Sequence, residues 1–368
     1  MKISLGQKYV DEPYGGGNEF IKNLKDALIS DGHIVVDSLK DKDIDIVLLT
    51  NPLIDSELST FNQHDINYYQ NFKNKFAISL HRINECDERK NTNYVNKAII
   101  KANEHIDSNI FVSEWIKNIY LEQGLSNKNS IVALGGPLKL NFNSMNKTPW
   151  NKKEKLKLVT HHWSGNKMKG SDLYRQIDFL CSTDEWKERI EFTYIGNLSN
   201  SINLTHTNLI KPLSHNELSS ELKKHHVYVT GSINEPSGNH HMEGAMSGLP
   251  LLYNESGALP EYCKDYGISF NYSNFVEKLE EMFVSYDAYF QKIHTYPYSF
   301  ENAYQEINRH FKTIEINKTK IQHQRIRQNK ILVLFKFLLS KTVRYLYKLK
   351  IKLKIKLGKF KRILISND

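Results

Sequence analysis

Glu235 and Glu243 stand on a segment, VYVTGSINEPSGNHHMEGAMSGLP at 227–250, that passes from a β-branched run through a glycine-containing loop into a helical stretch. The interval between them is about two helical turns. Two carboxylates so placed can hold different parts of one extended ligand, and a carboxylate accepts two hydrogen bonds from vicinal hydroxyls. The loop-to-helix junction at Ser237, Gly238, Asn239 and His240 aims unspent backbone N–H groups outward, a seat for a diphosphate or for sugar hydroxyls. Paired glutamates at this spacing arise often by chance. Glu235-Pro236-Ser237-Gly238 before the second and Gly248-Leu249-Pro250 after it make the pattern specific.

Three further clusters carry polar chemistry. Thr160-His161-His162-Trp163-Ser164-Gly165-Asn166-Lys167-Met168-Lys169-Gly170 follows an apolar run, and a lysine here can neutralise an anionic leaving group as its bond breaks. Ser164 and Asn166 add polar atoms, whereas Lys167 alone reads as a solvated charge. Pro13-Tyr14-Gly15-Gly16-Gly17-Asn18 permits close approach of backbone to a ligand, although a plain turn uses the same residues. Leu80-His81-Arg82-Ile83-Asn84-Glu85-Cys86-Asp87-Glu88-Arg89 concentrates polar groups at the C-terminal end of a strand, where cleft residues of open α/β folds sit; a capping loop with internal ion pairs would look the same. The pairs His161-His162, His225-His226 and His240-His241 invite a metal. Adjacent side chains point in different directions and no HExxH or DxD pattern accompanies them, so no metal is expected, and His161 and His240 read instead as hydrogen-bonding groups for sugar or phosphate.

Positioning these loops requires alternating strands and helices. Apolar runs at 2–5, 34–36, 44–49, 76–80, 109–112 and 131–133 alternate with amphipathic stretches, which predicts parallel crossover units in an open α/β sheet. The polar, aperiodic segment 141–155, with Pro149 and paired lysines, reads as a linker. The rhythm restarts at 157–160, 192–195, 227–230 and 250–253, and Ser214-His215-Asn216-Glu217 fits a capping box that opens a helix. Two such domains in series leave a cleft between facing strand ends. The expected units are 1–145, 156–295, a helix at 296–314 and a tail at 315–368.

The spacing of Glu235 and Glu243, with Gly248-Leu249-Pro250 and Ser256-Gly257-Ala258-Leu259-Pro260-Glu261 behind it, resembles the E-x7-E motif of GT-B glycosyltransferases of the retaining, family 4-like type. That resemblance implies an α/β fold of two Rossmann-like, doubly wound domains facing a cleft. It implies Glu235 beside the donor sugar and Glu243 on the nucleotide ribose. Lys169 before Gly170 matches the family's diphosphate-binding lysine, while the arginine that the family carries in the same loop is missing here. Gly16 and Gly17 match the glycine loop that borders the donor phosphates, and Ser164, Ser237, Gly238, Asn239 and His240 complete the expected donor site. A histidine stands where His81 does, so Glu235, His81 and Lys169 are the expected catalytic residues and Asn84, Asp87 and Arg89 face the acceptor. Asn109-Ile110-Phe111-Val112-Ser113-Glu114-Trp115 has the family's strand-then-SxW form, with a structural role. The helix at 296–314 is expected to cross back onto the first domain.

Composition sets the partners. The chain has 368 residues, 40% apolar and 25% charged, with a net charge of +9. The charge is uneven: residues 311–368 hold 17 lysines and arginines against Glu315 and Asp368, and the remainder is mildly acidic. Cys86, Cys181 and Cys263 lack any CxxC spacing and read as free thiols, and Met1 to Gly6 reads as a first strand, so a cytoplasmic location is expected. The run 331–339 is too short to span a bilayer. Basic and apolar residues alternate from there to Leu357, which suits an anionic membrane surface through 320–363 better than nucleic acid. The expectation is sugar transfer from a nucleotide diphosphate sugar to a hydroxyl of a saccharide or lipid-linked acceptor in cell-surface polysaccharide synthesis, with no further cofactor. A nucleotide-sugar epimerase of the same architecture, or an inactive membrane-docked saccharide-binding protein, are the alternatives.

Overall fold

The computed structural model describes residues 1–10, 15–53, 58–126, 129–198, 202–326 and 328–365, with side chains described as far as residue 353. Pro13 and Tyr14 of the first glycine loop lie outside the described residues.

Strands β1 (Lys2–Leu5), β2 (Ile34–Val36), β3 (Ile46–Leu49), β4 (Ile78–Ile83), β5 (Ser108–Phe111) and β6 (Ile131–Val132) form one parallel sheet in the order β2-β1-β3-β4-β5-β6. A second parallel sheet holds β7 (Leu156–His162), β8 (Ile190–Gly196), β9 (Asn208–Ile210), β10 (Val227–Thr230), β11 (Leu251–Asn254) and β12 (Gly267–Phe270) in the order β12-β11-β10-β7-β8-β9. Strands of such sheets are covered on both faces and therefore apolar along their length; Ile46, Val47, Leu48 and Leu49 of β3 are all fully buried. Each order reverses once, between β1 and β3 and between β7 and β10. Those reversals splay the following loops apart and open a crevice at the strand ends. Two strands were not foreseen. β9 is a largely exposed edge strand with no apolar run, and β12 opens on a glycine.

Helices α1 (Gly16–Ser30), α2 (Gln63–Phe72), α3 (Asp87–Lys90), α4 (Val95–Ala102) and α5 (Glu114–Glu122) accompany the first sheet. The second sheet carries α6 (Ser171–Leu180), α7 (His215–Leu222), α8 (Asn239–Met246), α9 (Leu259–Cys263) and α10 (Phe275–Ile293). The chain then returns: α11 (Phe300–Ile316) seats Phe300, Ile307, Phe311 and Ile314 in one core with Ile3, Leu24 and Leu48 of the first sheet's side. After α12 (Lys318–His323), Arg325 binds both oxygens of buried Asp107, at 2.7 and 2.8 Å.

The tail is one helix, α13 (Lys330–Ile365). Apart from Lys336, its residues that are not exposed, Val333, Phe337, Ser340, Arg344, Tyr347 and Ile351, recur at alternating intervals of four and three, the seam of a helix packed lengthwise on another. The partner is α2. Phe337 stacks on Tyr68 with centroids 4.1 Å apart, Asn62 donates to Ser340 Oγ at 2.8 Å, and Lys341 and Arg344 each reach Asp65 at 2.9 Å.

Several histidines are folded into apolar surroundings. Burial lowers the pKa of His81, His226 and His310 to about 4 and that of His241 to about 3. The unfolded chain takes up these protons near pH 6.5, whereas the native state refuses them until pH 3 to 4. Native stability is therefore unaffected above pH 7 and falls as pH drops through that window, by ~1.4 kcal/mol per pH unit for each histidine. The unfolding free energy from denaturant titration is expected to fall by several kcal/mol between pH 7 and pH 5; a value constant over that range contradicts this burial.

Candidate functional site

The reversal between β7 and β10 places two loops side by side. The loop after β10 carries Glu235, 5% exposed. Its Oε2 accepts from Lys169 Nζ at 2.8 Å, and its Oε1 from Arg89 Nε at 3.4 Å. Burial alone would raise this carboxyl; the charges of Lys169 and Arg89 and the lysine hydrogen bond outweigh it and hold the pKa down to about 2. Glu235 is therefore a permanent anion, and of its partners Lys169, at the shorter distance, is the stronger. The second cation on Glu235 is one that no local pattern could show: Arg89, 146 residues earlier, arrives from α3 on the other side of the cleft. Asn234 Nδ2 donates to Glu88 O at 3.2 Å alongside it.

Backbone geometry fixes this cluster. Gly170 has φ +96°, and a Cβ there would stand 2.5 Å from the Gly231 backbone, so only glycine lets the Lys169 turn lie against the loop after β10. Ile233 N donates to Met168 O at 2.8 Å across the same seam. Gly257 has φ +64°, and a Cβ there would meet Glu235 N at 2.4 Å. Ser256 Oγ accepts from Asn234 N and Ala258 N donates to Glu235 O, at 2.9 and 2.8 Å. The Ser256-Gly257-Ala258 turn is thus the seat of Glu235. Glu261 at its end binds the other half of the molecule, accepting from Glu114 N at 2.8 Å and Trp115 N at 2.6 Å at the start of α5, while Tyr262 donates to Val112 O at 2.6 Å.

Two helix starts converge beside these charges. Gly238 is the N-cap of α8 and Gly15 that of α1, neither with a side-chain cap, and Asn239 Nδ2 lies 3.4 Å from where a Cβ on Gly16 would be. Both partly positive termini face the cleft. Ser237 Oγ bonds to Tyr262 OH at 3.2 Å. Glu243, about one turn into α8, is buried with Oε2 2.6 Å from His161 Nε2, and His161 Nδ1 lies 3.2 Å from Tyr228 OH. Its Oε1 has no hydrogen bond among the described residues.

The remaining expected residues divide. His240 Nε2 is spent on Thr230 Oγ1 at 2.9 Å and Ser232 Oγ at 3.3 Å, so its ring braces the loop from below. Ser164 is exposed at the rim. Asp87 accepts from Thr92 Oγ1 and from the Tyr94, Val95 and Asn96 amides, and so its oxygens are used in holding α3 to α4. His81 and Asn84 line a cavity of about 540 Å³ at the ends of β1, β3 and β4, together with Gly16 and Gly17. Asn103 Nδ2 lies 2.7 Å from Ile99 O and 2.8 Å from His81 Nδ1, so the neutral imidazole accepts there and carries its proton on Nε2. Thr50, Arg82, Tyr347 and Ile351 share that cavity, and the last two come from α13; none of the four was foreseen. Among the described residues no three His, Cys, Asp or Glu side chains are grouped to hold a metal. The thiols of Cys86 and Cys181 are pushed by burial up to about 12 and about 11.

No family model matches the sequence, and no curated protein matches it. Solved structures do match the fold. HepE of Anabaena, in complex with UDP and glucose, is 10% identical with a TM-score of 0.60, over 85% of this chain and 99% of that one. The lipopolysaccharide outer core galactosyltransferase WaaB, in its apo form, is 12% identical with a TM-score of 0.60, over 85% and 99%. Sucrose-phosphate synthase of Thermosynechococcus elongatus is 13% identical with a TM-score of 0.55, over 88% and 98%. Two facing parallel six-stranded sheets, crossed by a returning helix and shared along nearly the whole of these enzymes, give this chain the GT-B glycosyltransferase fold.

Proposed function

We propose that the protein transfers a sugar from a nucleotide diphosphate sugar to a hydroxyl of a saccharide or lipid-linked acceptor, with retention and without a metal, in cell-surface polysaccharide synthesis. The observation that carries this is the buried Lys169–Glu235–Arg89 cluster beside two uncapped helix starts. It suits a donor whose diphosphate must leave carrying negative charge. The diphosphate lies between the Gly16 and Gly17 amides and those of Gly238 and Asn239, and Lys169 and Arg89 neutralise it as the glycosidic bond breaks. Glu235 and the Nε2–H of His81 orient the sugar, and Glu243 Oε1 takes the ribose hydroxyls. Glu235, with its pKa held near 2 by two cations, is a weak base and a weak nucleophile, so no enzymic nucleophile is assigned. The departing diphosphate is then the base nearest the acceptor hydroxyl. The fold likeness to HepE, solved with UDP and glucose, and to the galactosyltransferase WaaB supports this donor class. Arg89 weakens the case for an inactive binding protein, which rested on the missing arginine.

The tail supports attachment to the inner face of a membrane. No helix among the described residues is long and apolar enough to cross one. α13 nevertheless packs only one mixed seam on α2 and leaves Leu338, Leu346 and Leu349 exposed among lysines, an amphipathic outer surface suited to a membrane interface. Lysines beside these side chains add ~1 kcal/mol each near an anionic surface.

Incubation with a panel of nucleotide sugars, read by mass spectrometry, is expected to show loss of the sugar from one donor. Lys169→Ala is expected to lower kcat about 10²- to 10³-fold, and Glu243→Ala to weaken donor binding with a smaller effect on kcat; wild-type values in both sink these assignments. Substituting Leu338, Leu346 and Leu349 together by serine is expected to abolish co-sedimentation with anionic vesicles while leaving thermal unfolding unchanged. Undiminished co-sedimentation speaks against α13 as the anchor.

A further inference from the structure

Arg82 ends β4 beside His81 and lines the same cavity. Its guanidinium lies 3.8 Å from the centre of the Phe20 ring. Burial lowers its pKa to about 10, which leaves it charged at neutral pH. Among the described residues it has neither a hydrogen bond nor an ion pair. Glu85 acts on it only from a distance and is itself paired with Lys90 at 3.6 Å. A half-buried cation whose only contact is an aromatic ring keeps its N–H groups free, and such a group suits an anion. Lys169 and Arg89, by contrast, already share Glu235.

Tyr347 and Ile351 bring a second character to the cavity. Among the described side chains they are the last two of the α13 seam, which runs past the end of α2 and out over the cavity wall. Immediately around them α13 exposes Tyr345, Leu346, Leu349 and Leu353, with Lys348, Lys350 and Lys352 interleaved. The outer apolar surface of the tail is thus continuous with the cavity that contains the unpaired arginine.

We infer that α13 is a wall of the acceptor site as well as an anchor: the cavity receives an acceptor that carries a phosphate on an apolar chain, with the phosphate on Arg82 and the chain leaving past Tyr347 and Ile351. This rests on the transferase reading, since it names the acceptor of that same cleft. A membrane surface supplies such molecules already oriented, polar end outward. The helix that holds the enzyme to the bilayer then also lines the path by which the acceptor enters.

Binding to the full-length protein by calorimetry tests this with decyl phosphate, decyl maltoside and inorganic phosphate as probes and a nucleoside diphosphate panel as control. Decyl phosphate is expected to bind more tightly than either inorganic phosphate or decyl maltoside. Arg82→Ala is expected to weaken it roughly ten- to hundredfold, as loss of a charge-assisted contact does, with Arg82→Lys restoring part. Tyr347→Ala combined with Ile351→Ala sits on the tail and leaves both cores intact; it is expected to weaken decyl phosphate while leaving inorganic phosphate and nucleoside diphosphate unchanged. Decyl phosphate affinity unaltered in both the arginine and the tail variants, or equal binding of decyl maltoside, overturns the inference. A protein that binds a nucleoside diphosphate but not decyl phosphate overturns it while the transferase reading stands. A protein that binds neither overturns both.

Discussion

A carboxylate removed from water must be matched by nearby positive charge, and the site of this protein is organised around that requirement. Taking Glu235 out of solvent costs several kcal/mol, and the attraction of a well-placed cation in a low-dielectric interior is what offsets it. Lys169 at 2.8 Å supplies most of the compensation and Arg89 at 3.4 Å the rest. The lysine belongs to the same sheet as the glutamate, whereas the arginine belongs to the other. The charge balance at the centre of the cleft is therefore complete only when the two halves are together.

Hydrogen bonds to the backbone make that meeting rigid. Glu261 caps α5 across the cleft, Tyr262 reaches Val112 O, and both follow directly on the glycine turn that seats Glu235. The same short stretch, Ser256 to Tyr262, thus aligns the carboxylate and ties the halves to each other. The return of α11 into the first core adds a covalently continuous brace on the opposite side of the molecule. A donor bound between Asn239 and Gly16 would touch both halves, and its diphosphate would compete with Glu235 for the two cations.

Much of this was legible in the sequence because it is local. Parallel strands buried on both faces leave apolar runs, so β1, β2 and β10 were placed to the residue, and Lys169-Gly170 and Glu235 were visible as motifs. What escaped was set by tertiary pairing. Nothing near Arg89 marks it as the partner of a residue 146 positions away. The histidines of α8 suggested ligand contact, yet His240 is spent beneath the loop, a choice made by where Thr230 and Ser232 lie. Asp87 looked like a cleft carboxylate and proved to be occupied by four donors. The seam of α13 was hidden because Ser340 and Arg344 sit on it, satisfied by Asn62 and Asp65, so that an apolar-periodicity search follows the exposed side instead.

The central claim is that one donor site is assembled from both halves of the molecule around Glu235. The most direct measurement is the affinity of nucleoside diphosphates for the wild-type protein and for Arg89→Ala, by calorimetry at fixed ionic strength. The account predicts that removing this single cation, contributed from across the cleft, weakens the preferred diphosphate by about tenfold or more. An affinity unchanged from wild type would contradict it and would confine the donor site to the second sheet.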